Sequence, residues 1–416
     1  MQYNIQAPQH LDTTIKLPAS KSISNRALII NALAGGEIVP DNLSDCDDTN
    51  VMVNALRNMP PVIDIMAAGT AMRFLTAYYA VTPGEHTLTG TERMKHRPIE
   101  ILVDALKTLG ADIEYVETKG YPPLHIKGKA LKGGTLEIPG SVSSQFISAL
   151  LMIAPALDNG LELKMTGGII SRPYIDLTLW TMREYGAKAD WTGGDTVTVQ
   201  PGMYTPRKYQ IENDWSAASY WYEILALCNE REATVKLTGL MDGSKQGDSV
   251  TRYIFSLLGI KTVFSSKSQG KPTTVTLKKT SRIVPRLDYD FINSPDLAQT
   301  FVVCCTALGI PFHFKGLKSL IIKETNRIEA LKNELLKLGF VIHDVNNSEL
   351  IWDGERCEAT MSPIETYEDH RMALSFAPLA MKYPEIKINN PQVVTKSYPA
   401  FWEDMKQAGF KIETME

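Results

Sequence analysis

The sequence predicts an α/β fold with mixed sheets (α+β in character), built as two similar domains of three repeated βαβαββ-type units each. Three observations lead there. An amphipathic helix, a glycine and an alternating strand recur as "ILVDALKTLGADIEY", "LTLWTMREYGAKADW", "TRYIFSLLGIKTVF", "IEALKNELLKLGFVIHD" and "FWEDMKQAGFKIET". A second, more apolar helix with a polar start precedes each copy. A short strand after a polar turn follows most of them.

Each element has a local reason. In the five copies, apolar residues at helical spacing stop at Gly110, Gly186, Gly259, Gly339 and Gly409, where glycine can supply a left-handed C-cap. Period-2 alternation then marks a strand, and "TVTVQ", "TVTLK" and "ELIWD" read as the returning arm of a hairpin. The upstream helices begin at "PASKSISNRALIINAL", "AAGTAMRFLTAYYA", "PGSVSSQFISALLMIAP", "NDWSAASYWYEILAL", "NSPDLAQTFVVCCTAL" and "YEDHRMALSFAPLAM", which makes six units. The first is trimmed, because "ALRNMPPVIDIMAAGT" is too short for a glycine-capped helix and hairpin.

Composition narrows the function classes. At 44% hydrophobic and 22% charged, the 416-residue chain can fill the cores of two domains. The longest apolar run, Phe146 to Leu157, falls short of the roughly 18 residues that span a bilayer. The start "MQYNIQAPQHLDTTIKLPAS" has no signal-peptide pattern, so a cytoplasmic protein is expected. A net charge of −4 gives no basic surface for nucleic acid. Five cysteines without CxxC spacing read as reduced core thiols rather than disulfides or a zinc site. No GxGxxG, GxxxxGK[ST] or GxSxG motif calls for a nucleotide or a serine nucleophile, and neither metal nor cofactor is expected.

The repeat gives the polar clusters an address. Lys21, Ser22, Arg26, Gly69, Thr70, Arg73, Ser143, Ser144, Gln145, Asp214, Asp296, Asp369, His370 and Arg371 fall at the start of first helices. Arg97, Ser171, Tyr174, Asp248, Lys323, Glu324, Arg327 and Lys396 precede or open second ones. Helix N-termini bind anions, and Asp214 or Ser141 there reads as an N-cap. Cations in a first turn oppose the helix dipole by about 0.3 to 1 kcal/mol each, so Lys21, Arg26, Arg73, Arg97, Lys323, Arg327, Arg371 and Lys396 together suggest a shared anion. Lys323, Glu324 and Arg327, three and four residues apart, read as one face of a helix start.

These clusters resemble the family of 3-phosphoshikimate 1-carboxyvinyltransferase, the EPSP synthases. The likeness runs in order through "LPASKSISNRAL", "AGTAMR", "RMKHRPI", "GSVSSQFISALLMIAP", "SRPYIDLT", "QGDS", "SPDLA", "KETNRI", "EDHRMA" and "TKSYP". It implies domains at 1–19 with 213–416 and at 20–212, helix N-termini facing the cleft between them, and an active site in that cleft. It also implies a transferase of aromatic amino acid biosynthesis that joins phosphoenolpyruvate to shikimate 3-phosphate by addition and elimination. By motif, Lys21, Ser22, Arg26, Ser143, Ser144, Gln145, Ser171, Tyr174, Asp296, Ser319 and Lys323 would hold shikimate 3-phosphate. Lys21, Gly69, Arg97, Gln145, Arg327, Arg371 and Lys396 would hold phosphoenolpyruvate. Asp296, Glu324 and Lys21 would be catalytic, with Thr70, Arg73 and His370 against the substrates.

Two substrates each with a carboxylate and a phosphate bring about six negative charges, which the eight cations can balance without a metal. The expected form is a monomer with these small-molecule substrates and no nucleic-acid or membrane partner. Ala67, Phe74, Asn326, Ser319 and Ala19 depart from the family's usual residues. A UDP-N-acetylglucosamine enolpyruvyl transferase fits less well, since "KSISNR" replaces a Lys-Asn pair and Arg97 to Tyr121 holds no cysteine. A noncatalytic anion-binding relative would lack Asp296 or Glu324, and both are present.

Overall fold

The computed structural model describes residues 1–36, 38–265 and 271–415. The chain forms two compact units, Met1–Pro18 with Glu212–Glu416, and Ala19–Ile211. The second is therefore an insertion within the first.

One strand pattern recurs. In the inserted unit, Val62–Asp64 lies parallel to Gly84–Thr89, which pairs antiparallel with Leu124–Gly128 and through it with Asp112–Tyr115. Gly134–Pro139, Leu161–Thr166, Thr196–Val199 and Ala189–Trp191 repeat it. In the other unit the pattern returns in Asp12–Lys16, Thr234–Leu240, Thr273–Ile283 and Leu258–Phe264. It returns again in Leu287–Asp290, Phe312–Lys315, Glu349–Trp352 and His343–Val345. A parallel pair needs a crossover, and that crossover carries the first helix of each repeat.

A three-stranded sheet is assembled from both ends of the sequence: Ile386–Asn389 and Lys411–Met415 flank Gln2–Gln6. A parallel bridge from Ile364 to Ile388 supplies the missing first position. Among the described residues of 21–58, the helices are Lys21–Leu33 and Asp47–Asn58, and a parallel bridge joins Asp41 to Gln210.

Sequence pattern explains which faces are covered. Strands such as Asp12–Lys16 and Leu161–Thr166 alternate buried and exposed, so their sheets have one wet face. Second helices are amphipathic; Glu100–Thr108 buries Leu102, Val103, Ala105 and Leu106. First helices are different. Gly69–Val81, Ser144–Ile153 and Trp215–Leu227 are buried along nearly their whole length. A helix enclosed on all sides meets solvent only at its ends, so its N-terminal turn is what it can offer a ligand.

At the five expected glycine caps φ lies between +84° and +104°, a range closed to most side chains. Cys46, Cys228, Cys304 and Cys305 are buried free thiols and Cys357 an exposed one. Among the described residues, no helix is long and apolar enough to cross a membrane.

Candidate active site

In the unit containing residues 212–416, six of the expected residues form one ion-pair network. Asp296 opens the turn before the helix Ala298–Leu308. Its Oδ1 lies 3.0 Å from Arg327 Nη1 and 3.4 Å from Lys323 Nζ, and its Oδ2 lies 3.2 Å from Arg371 Nη2. Glu324 accepts from Arg327 Nη2 at 2.8 Å and lies 3.1 Å from Lys396 Nζ. Arg327 is 1% exposed, and its Nε and Nη2 donate to Asp369 at 2.7 and 3.2 Å. Asp369 also caps the helix His370–Phe376 by accepting from Arg371 N at 2.9 Å.

Charge fixes the protonation of this cluster. Burial raises the Asp296 carboxyl, but Arg371, Lys323 and Arg327 outweigh it and hold the group well below the usual carboxylate range. Burial also disfavours the Arg327 cation, yet Asp369, Glu324 and Asp296 reverse this and bind its proton more tightly than in water. Nearby Asp248 accepts from Ser216 Oγ; burial first, and then the charge of Asp296, push its carboxyl up to about 6 against the pull of Arg371. Tyr220, which accepts from Arg371 Nη1 at 3.2 Å, is raised to about 12 by burial, a shift that Arg371 opposes. His370 is 2% exposed, with Nδ1 3.7 Å from Asp369 Oδ1. Ser319 stands outside the network, half-buried in the turn Lys318–Ile322.

The local backbone differs from the sequence expectation in one respect. Lys323 and Glu324 do not belong to a helix: the helix starts at Arg327, capped by Asn326, whose side chain accepts from Glu329 N at 3.3 Å. The pair between Glu324 and Arg327 is thus a loop reaching onto a helix end. Asn is as good an N-cap as Asp, which accounts for its being tolerated at 326.

In the inserted unit the expected residues fall in several smaller groups. Lys21, first residue of its helix, meets Asp48 at 3.1 Å. Gln145 donates to Thr70 Oγ1 at 3.0 Å, and Ser143, not Ser141, caps the helix Ser144–Ile153. Ser171 takes a left-handed conformation with φ +53° before the helix Arg172–Glu184, which Tyr174 helps open. Ser22 and Ser144 lie in first turns.

Arg26 and Arg73 correct the dipole argument. Both lie beyond the first turn and lean back on it: Arg26 Nη1 donates to Ser22 O at 2.9 Å and Arg73 Nη1 to Gly69 O at 3.0 Å. Arg26 also donates to Thr178 and Ser148, tying three helices together, and lies 5.4 Å over the ring of Phe74. Its burial brings the guanidinium down to about 10, slightly offset by Tyr174. Lys396 likewise closes a 3-10 turn, Pro391–Lys396, rather than opening a helix.

Gly69 is where a side chain would be felt. A Cβ there would stand 2.5 Å from Arg97 Nη1 and 3.0 Å from Arg73 Nη1. The mobile end of Arg97 would yield, not the backbone. Gly69→Ala is therefore expected to leave Tm within about 2 °C while raising the KM for a ligand held by Arg97 by roughly tenfold, a loss near that of one charged hydrogen bond. Steady-state kinetics beside a melting curve checks it.

Sequence reasoning missed the pairings of two carboxylates. Asp48 reads as a dipole-favoured residue in its helix's first turn, and its pairing with Lys21, 27 positions away, leaves no local sign. Asp369 was visible as part of "EDHR", but not as the partner of Arg327. Among the described residues, no group of three or more His, Cys, Asp or Glu side chains could hold a metal ion.

Comparison with known proteins places the chain in a family. A sequence model described as EPSP synthase (3-phosphoshikimate 1-carboxyvinyltransferase) matches residues 5–63 and 58–405. A 3-phosphoshikimate 1-carboxyvinyltransferase of Bacteroides fragilis is 57% identical over 417 aligned residues, covering 100% of both chains. One of Aliivibrio fischeri is 34% identical, covering 97% of this chain and 98% of its own. Among solved structures, an EPSP synthase of Acinetobacter baumannii superposes with TM-score 0.79 at 20% identity over 100% of both chains. The enolpyruvyl transferase NikO of Streptomyces tendae gives 0.73 at 15%, covering 99% of this chain and 98% of that one. These last two likenesses concern the fold.

Proposed function

The chain belongs to the EPSP synthase (3-phosphoshikimate 1-carboxyvinyltransferase) family and is a transferase of the shikimate pathway, and from that premise we propose how its residues move the carboxyvinyl group of phosphoenolpyruvate to the 5-hydroxyl of shikimate 3-phosphate. The observation that carries the proposal is a pair of carboxylates, Asp296 and Glu324, each held by cations that a substrate anion can claim.

The ion pairs act as placeholders. Phosphoenolpyruvate brings a carboxylate and a phosphate for Arg327, Arg371 and Lys396, with Arg97, Gln145, Lys21 and the backbone at Gly69 completing its site. Shikimate 3-phosphate takes Lys323 and Ser319, and in the inserted unit Lys21, Ser22, Ser143, Ser144, Gln145, Ser171 and Tyr174. Arg26 supports that surface from below. As the cations turn to the substrates, Asp296 loses the charges that hold its carboxyl down and Glu324 is released from Arg327 and Lys396, so that both carboxylates are open to a proton.

Asp296 then takes the proton of the 5-hydroxyl while the oxygen of that hydroxyl bonds to C2 of phosphoenolpyruvate. Glu324, which takes up a proton from solvent as its cations turn away, delivers it to C3, making a methyl group. In the tetrahedral intermediate, Glu324 takes a methyl proton back, the C2=C3 bond re-forms, the C2–O bond to phosphate breaks, and the departing phosphate takes up the proton that Asp296 holds. Lys21 balances charge on the departing phosphate. Fixed charges and two oriented reactants supply the rate enhancement.

A cytoplasmic monomer with no nucleic-acid or membrane partner belongs to the same proposal. The test is phosphate release from phosphoenolpyruvate. Release is expected only when shikimate 3-phosphate is also present, with the enolpyruvyl ether as coproduct. Equal release without the second substrate would overturn the reading.

A further inference from the structure

Two successive residues just before Asp369 hold an uncommon conformation. Tyr367 has φ +53° and Glu368 φ +56°, both in the left-handed region that non-glycine residues occupy at a cost. Such strain persists only where the surroundings over-determine it. Here the surroundings are one helix, Arg327–Lys337.

Glu334, 0% exposed on that helix, accepts from Tyr367 Oη at 2.7 Å with Oε1 and from Glu365 N at 2.9 Å with Oε2. Lys337 bonds Glu334 Oε2 at 2.7 Å and reaches Pro363 O at 2.9 Å. Seven residues before Glu334, on the same helical face and about 10 Å along the axis, Arg327 donates its two bonds to Asp369. Residues 363–369 therefore run back along the helix and are gripped at both ends. The left-handed pair is the kink that turns the chain from one grip to the other, and Asp369 N closes it on Thr366 O at 2.8 Å.

We propose that Glu334 and Tyr367 are positioning residues: their hydrogen bond holds the kink that aims Asp369 at Arg327, and so sets the guanidinium that contacts both Asp296 and Glu324. Neither touches the ion-pair network directly. The proposal rests on the site reading given above, in which Arg327 binds substrate.

Tyr367→Phe removes one hydroxyl from a half-buried ring and should leave the fold intact. Without the bond the kink relaxes, Asp369 shifts, and kcat falls by roughly 10- to 100-fold, as for an active-site group displaced by about 1 Å. Glu368→Gly is the complement: its side chain is exposed, and glycine accepts the left-handed conformation freely. Alone it should leave kcat unchanged. Combined with Tyr367→Phe it should restore kcat at least about threefold, because it lowers the cost of the kink itself.

A merely structural tyrosine would lower Tm and show no such rescue. Asp296→Asn, measured in parallel, separates the two readings. If Asp296→Asn is severely impaired while Tyr367→Phe keeps kcat within about twofold, or loses it without rescue by glycine, the positioning role is overturned and the site stands. If Asp296→Asn is as active as wild type, the site reading fails and takes the positioning role with it.

Discussion

Glu324→Gln will release phosphate from phosphoenolpyruvate roughly 10²- to 10⁴-fold more slowly than wild type, the range a positioned proton-transfer group contributes. The substitution keeps the shape of the side chain and removes its ability to exchange a proton. Arg327 retains Asp369 and Asp296, at 2.7 and 3.0 Å, so it stays in place. KM for phosphoenolpyruvate should hold or fall, since a neutral amide no longer competes with the substrate's anions for Lys396 and Arg327. The measurement is phosphate release with both substrates saturating. A kcat within tenfold of wild type would remove Glu324 from the proton-transfer role.

Asp369→Ala will have the largest effect on stability. It leaves a guanidinium 1% exposed without the partner of its Nε. Breaking a buried pair from one side costs about 3–5 kcal/mol. The same change removes the N-cap of His370–Phe376, worth about 1 kcal/mol. For a unit of this size the sum lowers Tm by on the order of 10 °C. Asp369→Asn separates the two contributions, because Asn can still cap but cannot balance the charge. Its melting point should fall between those of wild type and Asp369→Ala. Equal melting points for all three would mean that Arg327 is neutralised without Asp369.

Much of the fold was legible because the repeat writes the same physics several times. Glycine after an amphipathic run marked Gly110, Gly186, Gly259, Gly339 and Gly409, and each has the positive φ that made glycine necessary. Polar starts before apolar runs marked the enclosed helices. What failed was direction and distance. Arg26 and Lys21 stand in the same short motif and read alike, yet one turns inward to Thr178 and the other meets Asp48. Only packing decides between those orientations. The stretch from Lys323 to Arg327 reads as helical from its charge spacing of three and four, but that spacing also occurs in loops, and Asn326 is the cap that starts the helix after it. Long-range pairs such as Arg327 with Asp369, 42 positions apart, leave no periodic trace.

The sheet built from both ends of the sequence has a consequence for the order of events during synthesis. Gln2 donates to the side chain of Asn389, 387 positions away, and Gln2–Gln6 forms a ladder with Lys411–Met415. Residues 19–211 are contiguous and bring all their own strand partners. They can fold while the ribosome is still making the rest. The strand Gln2–Gln6 must wait for Ile386–Asn389 and Lys411–Met415, its edges unpaired until they are made. That strand is short and mostly polar, "QYNIQ", which keeps an idle edge from recruiting a neighbouring chain.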